Sequence, residues 1–297
     1  MRGGRTDVVS RPSSTMQAEL KALASRFRDL HAGSTVAVLP NAWDAGSARA
    51  LERLGFPAVI TSSAAIAWSH GYPDGAVIPF EAMLAAVASI ARAVRVPVSA
   101  DLEDGYTADS VDGIERTVEA LIDAGAIGLN LEDGALRANG DLVAAEEHAA
   151  KIAAARAASD HAGVPIFINA RTDVFWRSVG EPDARVDDAL ERLRLYAEAG
   201  ADGAFAPGIA EPRDIARLTS ELDLPFNVMH MRTTPPLDEL ERLGVRRLSF
   251  GADIYLAALR TVERVGLPLR EGDLAPLEGE GVPRADILQA VMSSGGD

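Results

Sequence analysis

Apolar residues recur at helical spacing near the start of the chain. Steps of three and four residues separate Met16, Leu20, Leu23, Phe27 and Leu30. Residues at these steps share one face of an α-helix, so the pattern predicts an N-terminal helix with one buried face. Residues 1–14 are rich in Gly, Arg and Ser. We expect them to be disordered, because they offer little apolar surface to bury.

A second pattern recurs along the chain: a helical stretch, then a glycine, then a short apolar run. The glycines are Gly55, Gly125, Gly200 and Gly244. Glycine adopts the left-handed conformation that ends many helices, so each one marks a passage from helix to strand. With four further apolar runs, the pattern predicts eight strands, at 35–39, 58–62, 96–100, 127–131, 164–170, 203–206, 225–229 and 247–250.

Eight alternating strands and helices favour an α/β fold of the (β/α)₈ barrel type over an open doubly wound sheet. No Gly-x-Gly-x-x-Gly follows the first strand, which weakens the dinucleotide-binding alternative. We therefore predict one barrel domain over residues 15–265. In residues 266–297 the sequence turns to Pro, Gly and Glu and then to a short helical pattern at 285–292, which either frays or packs on another subunit.

Composition narrows the class of protein. The chain has 297 residues, and its 29 basic and 44 acidic side chains give a net charge of −15. This charge opposes binding to nucleic acid or to anionic membrane surfaces. The absence of cysteine excludes disulfides, thiolate metal sites and a cysteine nucleophile. No apolar run approaches the roughly 18 residues that span a bilayer, and no secretory signal precedes the first helix, so we expect a cytoplasmic protein.

Charged residues end three of the predicted strands. Asp101 and Glu103 end the third strand, Glu132 the fourth and Arg171 the fifth. The carboxyl ends of barrel strands form the active-site face, so these residues are expected to share a site. In an extended strand, Asp101 and Glu103 point to one side and Leu102 to the other. A solvated turn explains one acidic cluster, but the recurrence favours a divalent cation such as Mg²⁺ between the carboxylates.

An arginine beside a metal suits an organic acid, because guanidinium binds a carboxylate bidentately while the metal neutralises the acids. Mg²⁺ bound to a 2-oxo acid would act as a Lewis acid at the oxygen that gains charge when an adjacent bond breaks. Further polar or aromatic residues close to predicted strand ends are Trp43, Asp44, Ser62, Ser63, Asn227 and His230. Taken alone, a tryptophan such as Trp43 is more often a core residue, and a single histidine after an apolar strand, such as His230, is usually structural.

Six segments closely resemble the isocitrate lyase/phosphoenolpyruvate mutase superfamily and occur in its order. They are 39–49 (LPNAWDAGSAR), 61–65 (TSSAA), 71–74 (GYPD), 101–106 (DLEDGY), 131–133 (LED) and 169–173 (NARTD). The resemblance implies a Mg²⁺-dependent (β/α)₈ barrel that makes or breaks C–C or P–C bonds through an enolpyruvate-type intermediate. It also implies a homotetramer in which a C-terminal helix is exchanged between subunits.

The resemblance also assigns roles. Asp101 would be the inner metal ligand, and Glu103 and Glu132 would hold metal-bound waters. The groups that would hold the 2-oxo-carboxylate of the substrate are Trp43, the backbone at Ser62 and Ser63, and Arg171. Asp74 matches a conspicuous family acid near the site, and we take it as a catalytic candidate.

The loop after the fourth strand departs from the lyases of the superfamily. Isocitrate-type lyases carry Lys-Lys-Cys-Gly-His or a close variant there, and its cysteine is the catalytic acid/base. This chain has Asp-Gly-Ala-Leu-Arg-Ala-Asn-Gly at 133–140. Arg137 and Asn139 faintly match the Lys-x-Asn of the phosphonomutase loop, with one residue deleted, and are further catalytic candidates.

Three functions remain open. The first is a Mg²⁺-dependent lyase or decarboxylase that cleaves a C–C bond in a small 2-oxo or 2-hydroxy diacid such as oxaloacetate. The second is a phosphonomutase or phosphonopyruvate hydrolase that acts on a P–C bond. The third is an inactive binding protein, which the retained metal-site acids disfavour.

Overall fold

The structure is a computed structural model that describes residues 14–107, 111–134 and 142–278, without the side chains at 112 and 278. Its strands are β1 (Ala37–Val38), β2 (Asn41–Ala42), β3 (Val59–Thr61), β4 (Val98–Asp101), β5 (Gly128–Glu132), β6 (Phe167–Arg171), β7 (Gly203–Phe205), β8 (Phe226–Met229) and β9 (Arg247–Ser249). Its α-helices are α1 (Ser14–Ala32), α2 (Ala45–Arg53), α3 (Ser63–Ser69), α4 (Phe80–Ala93), α5 (Val111–Asp123), α6 (Ala145–Ala162), α7 (Arg185–Glu198), α8 (Pro212–Glu221), α9 (Leu237–Arg242), α10 (Asp253–Arg270) and α11 (Ala275–Glu278).

All strand pairings in the sheet are parallel, in the order β1-β9-β8-β7-β6-β5-β4-β3-β2. The two end segments, β1 and β2, are separated in the chain only by Leu39 and Pro40. Proline has no amide hydrogen to donate, which interrupts the strand at this point. Leu39 still donates to the carbonyl of Leu248, and the carbonyl of Pro40 accepts from Ile60. The first strand therefore joins both ends of the sheet, and the predicted (β/α)₈ barrel is confirmed.

The four glycines predicted to end helices have the expected backbone. The φ angles of Gly55, Gly125, Gly200 and Gly244 are 87°, 94°, 104° and 85°. These values lie in the left-handed region, which an L side chain adopts only with strain. The N-terminal helix is also confirmed, since α1 buries Leu20 and Phe27 on one face.

Strand register brings the charged strand ends together. Asp101 pairs with Asn130 across β4 and β5, and Glu132 pairs with Arg171 across β5 and β6. Because side chains on neighbouring parallel strands lie side by side at paired positions, these groups occupy the same end of the barrel.

Helix α10 differs from the other long helices because none of its residues is buried. It carries exposed apolar side chains at Leu256, Leu259, Val262 and Leu267. The helix runs through residue 265, where the barrel domain was predicted to end. The predicted helix at 285–292 and residues 1–13 of the predicted disordered segment lie outside the described residues. Among the described helices, none is long and apolar enough to cross a bilayer.

Candidate active site

A cavity of about 380 Å³ opens at the carboxyl ends of the strands. Its lining has a polar part, formed by Asn41, Ser62, Ser63, Asp74, Asp101, Asn130, Arg171 and Ser249. It also has an apolar part, formed by Trp68, Trp176, Phe205, Met229, Met231, Phe250 and Leu256. Most of the polar group is buried, whereas Trp68, Trp176 and Leu256 are exposed. The cavity thus has a polar floor and an apolar outer wall, as small-molecule sites commonly do.

Asp101 lies on the floor with its carboxylate fixed on one side. Its Oδ2 accepts hydrogen bonds from the Ser63 amide at 3.1 Å and the Ser63 hydroxyl at 2.7 Å. Its backbone amide donates to Thr61 Oγ1 at 2.9 Å. The other carboxylate oxygen, Oδ1, is buried without a hydrogen-bond partner in the described structure. Such an oxygen is costly unless a ligand outside the protein chain satisfies it.

Glu103 is not positioned by strand alternation, contrary to the sequence prediction. Strand β4 ends at Asp101, and Glu103 follows in a turn with a φ of 51°, so strand alternation does not place its side chain. The turn is closed by Gly105, where a Cβ would collide with Ile114. Left-handed backbone at a residue other than glycine costs about 1 kcal/mol or more and is concentrated at functional sites.

The turn buries the Glu103 side chain, whose Oε1 accepts from the Tyr106 hydroxyl at 2.9 Å. Burial raises the pKa of Glu103 to about 8, and the carboxylates of Asp101 and Asp74 act in the same direction. Asp74 itself lines the cavity from the segment between α3 and α4. Partial burial and the Asp101 carboxylate raise its pKa as well. The three acids therefore share one electrostatic environment.

Arg171 is held between two carboxylates. Its Nη1 lies 2.7 Å from Glu132 Oε2, and its Nε donates to Asp173 Oδ1 at 2.6 Å. Its guanidinium also lies 5.7 Å from the ring centre of Phe205. Burial lowers the pKa of Arg171, but the carboxylates of Glu132, Asp173 and Asp101 outweigh burial and hold it above its ordinary value. Arg171 is therefore a fixed cation in the wall of the cavity.

A second group of buried residues supports this arginine from behind. Asp133 accepts the Asp173 amide at 2.8 Å, the Arg192 guanidinium at 3.1 Å and the Tyr196 hydroxyl at 2.7 Å. Arg192 and Tyr196 come from α7, on the outside of the barrel. A continuous set of hydrogen bonds thus links an outer helix to the residue that orients Arg171.

Other predicted site residues have different positions. His230 lines the cavity, and its Nδ1 lies 2.9 Å from Asp253 Oδ2. Trp43 packs edge-to-face on Tyr255 at 5.3 Å and is not among the described residues that line the cavity. Asn227 is buried and donates to Ser249 Oγ at 3.2 Å. Asp44 caps α2 through a reciprocal bond with Ser47.

The amides at Ser62 and Ser63 are already engaged. The Ser62 amide donates to the carbonyl of Ala42, and that of Ser63 to Asp101. The Ser62 hydroxyl accepts from the Ala65 amide. In this structure the two serines therefore order Asp101 and the start of α3. Arg137 and Asn139 lie outside the described residues.

Several residues that border the site were not predicted from the sequence. Asp173 and Asp133 lie within the recognised motifs without a predicted role, although each follows a strand end by one or two residues. Arg232 lies beyond β8 and lines the cavity, so the strand-end rule that selected His230 would have found it. Trp176 comes from an irregular segment after β6, where no periodic signal marks it.

The oxygen donors around Asp101 bear on whether the site can hold Mg²⁺. No group of three His, Cys, Asp or Glu residues in the described ranges is arranged to hold a metal by itself. Mg²⁺, however, is usually held by one or two carboxylates and keeps several waters. The buried free oxygen of Asp101 matches a single inner ligand, and Glu103 and Glu132 supply buried carboxylates nearby. The residues present fit a hydrated Mg²⁺ ion.

Comparisons with known proteins identify the family of this chain. The family model described as Phosphoenolpyruvate phosphomutase matches residues 27–267. A crystal structure of a protein from Burkholderia cenocepacia J2315, proposed to be a phosphonomutase, is 43% identical with a TM-score of 0.78 and covers 82% of this chain and 98% of that one. The chloroplastic carboxyvinyl-carboxyphosphonate phosphorylmutase of Arabidopsis thaliana is 37% identical over 84% of this chain and 75% of its own length.

The oxaloacetate decarboxylase of Bradyrhizobium sp. ORS 278 is also similar, being 29% identical over 84% of this chain and 85% of its own length. The relatives thus include both decarboxylases and enzymes of phosphonate chemistry. This chain belongs to the phosphoenolpyruvate phosphomutase family, within the isocitrate lyase/phosphoenolpyruvate mutase superfamily, whose members are lyases or phosphonomutases.

Proposed function

We propose that this protein is a Mg²⁺-dependent carbon–carbon lyase that decarboxylates or cleaves a small 2-oxo or 2-hydroxy diacid resembling oxaloacetate. The observation that carries the proposal is the pairing of Asp101 and Arg171 in one cavity: a fixed carboxylate with a free buried oxygen, and a guanidinium held by two carboxylates. The free carboxylate oxygen can bind a metal ion, and the fixed guanidinium can bind a carboxylate of the substrate.

In this proposal each residue has a definite task. Asp101 holds the metal directly, and Glu103 and Glu132 hold its waters. Bound Mg²⁺ supplies a Lewis acid for the 2-oxo oxygen of the substrate. Arg171 binds the adjacent carboxylate and fixes its orientation, because Glu132 and Asp173 prevent the guanidinium from turning.

The remaining residues act on the far end of the substrate. Arg232 is exposed at the cavity lining and provides a cation for a second acidic group. Phe205 and Trp176 line the same cavity and would exclude water from the carbon chain of the substrate. His230, paired with Asp253, lies at the same outer wall.

The absence of cysteine favours decarboxylation over cleavage of a methylisocitrate-type substrate. A thiol-dependent lyase needs an acid/base, and such assistance typically contributes about 10²–10⁴-fold to the rate. Loss of CO₂ needs no proton donor when the C–C bond breaks. A chain without cysteine can therefore retain the first reaction while being slow in the second.

The test supplies Mg²⁺ with oxaloacetate, 2-methylisocitrate or phosphonopyruvate and follows the products by NMR. We expect enzyme-dependent formation of pyruvate from oxaloacetate, above the background of Mg²⁺ alone, and little turnover of 2-methylisocitrate. Rapid cleavage of 2-methylisocitrate would contradict the assignment, because another residue would then have to replace the thiol.

A second candidate is phosphonate chemistry, favoured by the 43% identity to the Burkholderia protein. Arg137 and Asn139 would then bind the phosphoryl group. Alanine variants at these two positions should lose phosphonopyruvate turnover and leave oxaloacetate decarboxylation nearly intact. Equal loss of both activities would assign the loop a general role instead.

We also propose that the chain forms a homotetramer in which helix α10 is covered by another subunit. The apolar stripe of α10 is exposed in the single chain, and exposed apolar patches of this kind mark interfaces. Light scattering of wild type should give about four times the chain mass of 31.3 kDa. Val262→Glu should lower that mass, whereas Leu54→Glu, at an exposed leucine after α2, should not.

A further inference from the structure

Arg247 is a buried cation in the middle of the barrel. It is the first residue of β9 and is only 1% exposed. Its Nη2 donates to Asn130 Oδ1 at 3.4 Å, on the opposite side of the barrel, and Asn130 lines the cavity. On the other side, its guanidinium lies 5.9 Å from the ring centre of Phe27 in α1. The Arg247 side chain therefore crosses the barrel directly beneath the cavity floor.

This arginine lacks the partners that a buried arginine normally has. Its Nε and Nη1 make no hydrogen bond to the described residues, and no carboxylate in the described ranges forms an ion pair with it. Burial lowers its pKa to about 10, and the Asp101 carboxylate opposes this effect. Arg247 is thus charged at neutral pH and interacts electrostatically with Asp101 without touching it.

Stability does not account for such a residue. Burying an unpaired charge costs several kcal/mol, and an apolar side chain of similar length would remove that cost. The guanidinium is held between the Asn130 side chain on one side and the Phe27 ring on the other. Its unneutralised charge points to a role in the site above.

The cavity region has more acidic than basic side chains, and this excess indicates what the Arg247 charge does. Among the described residues, five acids lie in or beside the cavity region, Asp74, Asp101, Glu103, Glu132 and Asp173, against three arginines, Arg171, Arg177 and Arg232. Such an excess of acids favours a metal ion but repels an anionic substrate. A cation beneath the floor, without a carboxylate partner, weakens the attraction of the site for a metal ion and weakens its repulsion of an anionic substrate. Both effects are strong because buried charges interact strongly over short distances.

We propose that Arg247 is a positioning residue that acts as a fixed counter-charge beneath the cavity, weakening Mg²⁺ binding at Asp101 and strengthening binding of the anionic substrate. This inference rests on the proposed metal role of Asp101. Its signature is a pair of opposite changes: removal of the charge tightens metal binding and weakens anion binding. A merely structural role would weaken both, because a disordered site binds every ligand less well.

The test compares Arg247→Met and Arg247→Gln with wild type and with Arg247→Lys, which keeps the charge. Calorimetry measures Mg²⁺ affinity. Oxalate, a dianion shaped like a 2-oxo-carboxylate, is titrated at saturating Mg²⁺ and followed by tryptophan fluorescence, since Trp68 and Trp176 line the cavity. For both neutral variants we expect Mg²⁺ affinity to rise about tenfold and oxalate affinity to fall about tenfold, with Arg247→Lys close to wild type.

Asn227→Asp extends the test if the neutral variants do not fold. Asn227 pairs in register with Arg247, so the new carboxylate would neutralise the guanidinium while leaving it in place, with the same two shifts. If the Mg²⁺ and oxalate affinities changed in the same direction, or if neither changed in a folded variant, the counter-charge role would be wrong and the proposed function would remain. If wild type binds Mg²⁺ no better than Asp101→Ala, the proposed function itself fails.

Discussion

The two sides of the cavity are built differently. On the side of β5 and β6, the charged side chains are buried and already paired: the side chains of Glu132 and Asp173 are 7% and 1% exposed, and both contact Arg171. On the side of β8, β9 and α10, the lining is open and mixes apolar side chains with His230, Arg232 and Asp253; Leu256 is 45% exposed, and the His230–Asp253 pair is about half exposed. The first side is preorganised for charge, and the second is shaped for contact with a ligand.

This difference assigns the reaction to the charged side of the cavity and the recognition of the substrate to the open side. Preorganised charges lower an activation barrier because they need no rearrangement when charge develops. An open apolar wall instead gains free energy when a ligand covers it, so it selects among substrates. Changes on the closed side should therefore alter rate and stability, and changes on the open side should alter affinity.

The largest effect is expected at Asp101. Asp101→Ala should abolish Mg²⁺ binding in calorimetry and lower the catalytic rate by about 10³-fold or more, because it removes the proposed metal ligand. Asp104→Ala is the matched control, since the Asp104 side chain accepts the Tyr106 amide in the same turn and makes no other hydrogen bond within the described ranges. Equal metal binding by the two variants would show that the inner ligand is elsewhere.

The next effect concerns the stability of the closed side. Asp173→Ala leaves Arg171 and Arg177 without a carboxylate that both now contact, and loss of one partner of a buried ion pair costs about 3–5 kcal/mol. Urea unfolding measures the free energy. Asp187→Ala removes an exposed ion pair with Arg217 and should change stability little. If both variants were equally stable, the buried pairing would not be holding the wall together.

A smaller effect is expected on the open side. Arg232→Ala should raise KM for oxaloacetate about tenfold with kcat nearly unchanged, because a rim guanidinium contributes to binding before and during reaction alike. Inhibition by pyruvate, which lacks the second acid, should stay the same. Arg242→Ala, on the outer helix α9, serves as control. A fall in kcat at constant KM would move Arg232 to the reaction side.

An effect that appears only at acidic pH is expected below both sides, at the barrel floor, where the His31 ring stacks on Phe167 at 4.3 Å. Burial and the nearby Arg247 lower the His31 pKa to about 3. The unfolded chain binds a proton here below about pH 6.5 and the folded chain does not, so stability is full above that pH and decreases as the pH falls towards 3.

One such group contributes about 1.4 kcal/mol per pH unit within this window. In His31→Gln, the free energy of unfolding should therefore decrease less steeply between pH 6 and 4.5, because unfolding takes up roughly one proton fewer. Urea unfolding at several pH values measures this slope. His161→Gln, on the exposed end of α6, should keep the wild-type slope. The same slope in all three proteins would mean that His31 is protonated in the fold.

Much of the barrel was predictable because its signals are periodic. The glycines at 55, 125, 200 and 244 and the apolar runs after them repeat one local geometry, and local geometry is what sequence patterns encode. Strand-end charges likewise predicted that Asp101, Glu132 and Arg171 share one end of the barrel, as their register confirms.

The rest depended on tertiary contacts. Strand alternation failed at Glu103, because a left-handed turn begins where the strand ends. The contact between Asp133 and Tyr196 of α7 joins residues 63 positions apart, and no sequence pattern indicates it. Arg171 and Asp173 are neighbours in sequence, but strand-end charges alone do not show that their side chains pair. Arg247 was counted only as the first residue of a strand, since its unusual burial depends on the opposite strands. The roles of Arg137 and Asn139 stay predictions.

The interrupted first strand gives the barrel a built-in seam. β5 and β6 pair over five residues, whereas β1 and β2 each pair with a neighbour over two residues, with Pro40 between them. Backbone amides exchange with solvent through local opening, and strands with fewer paired residues open more readily. Hydrogen exchange should therefore be faster at residues 37–42 than in β5 and β6. This seam adjoins β9 and lies near α10, whose residues are not buried. Local opening of the barrel is therefore expected beside the wall that receives the ligand and not at the charged wall opposite.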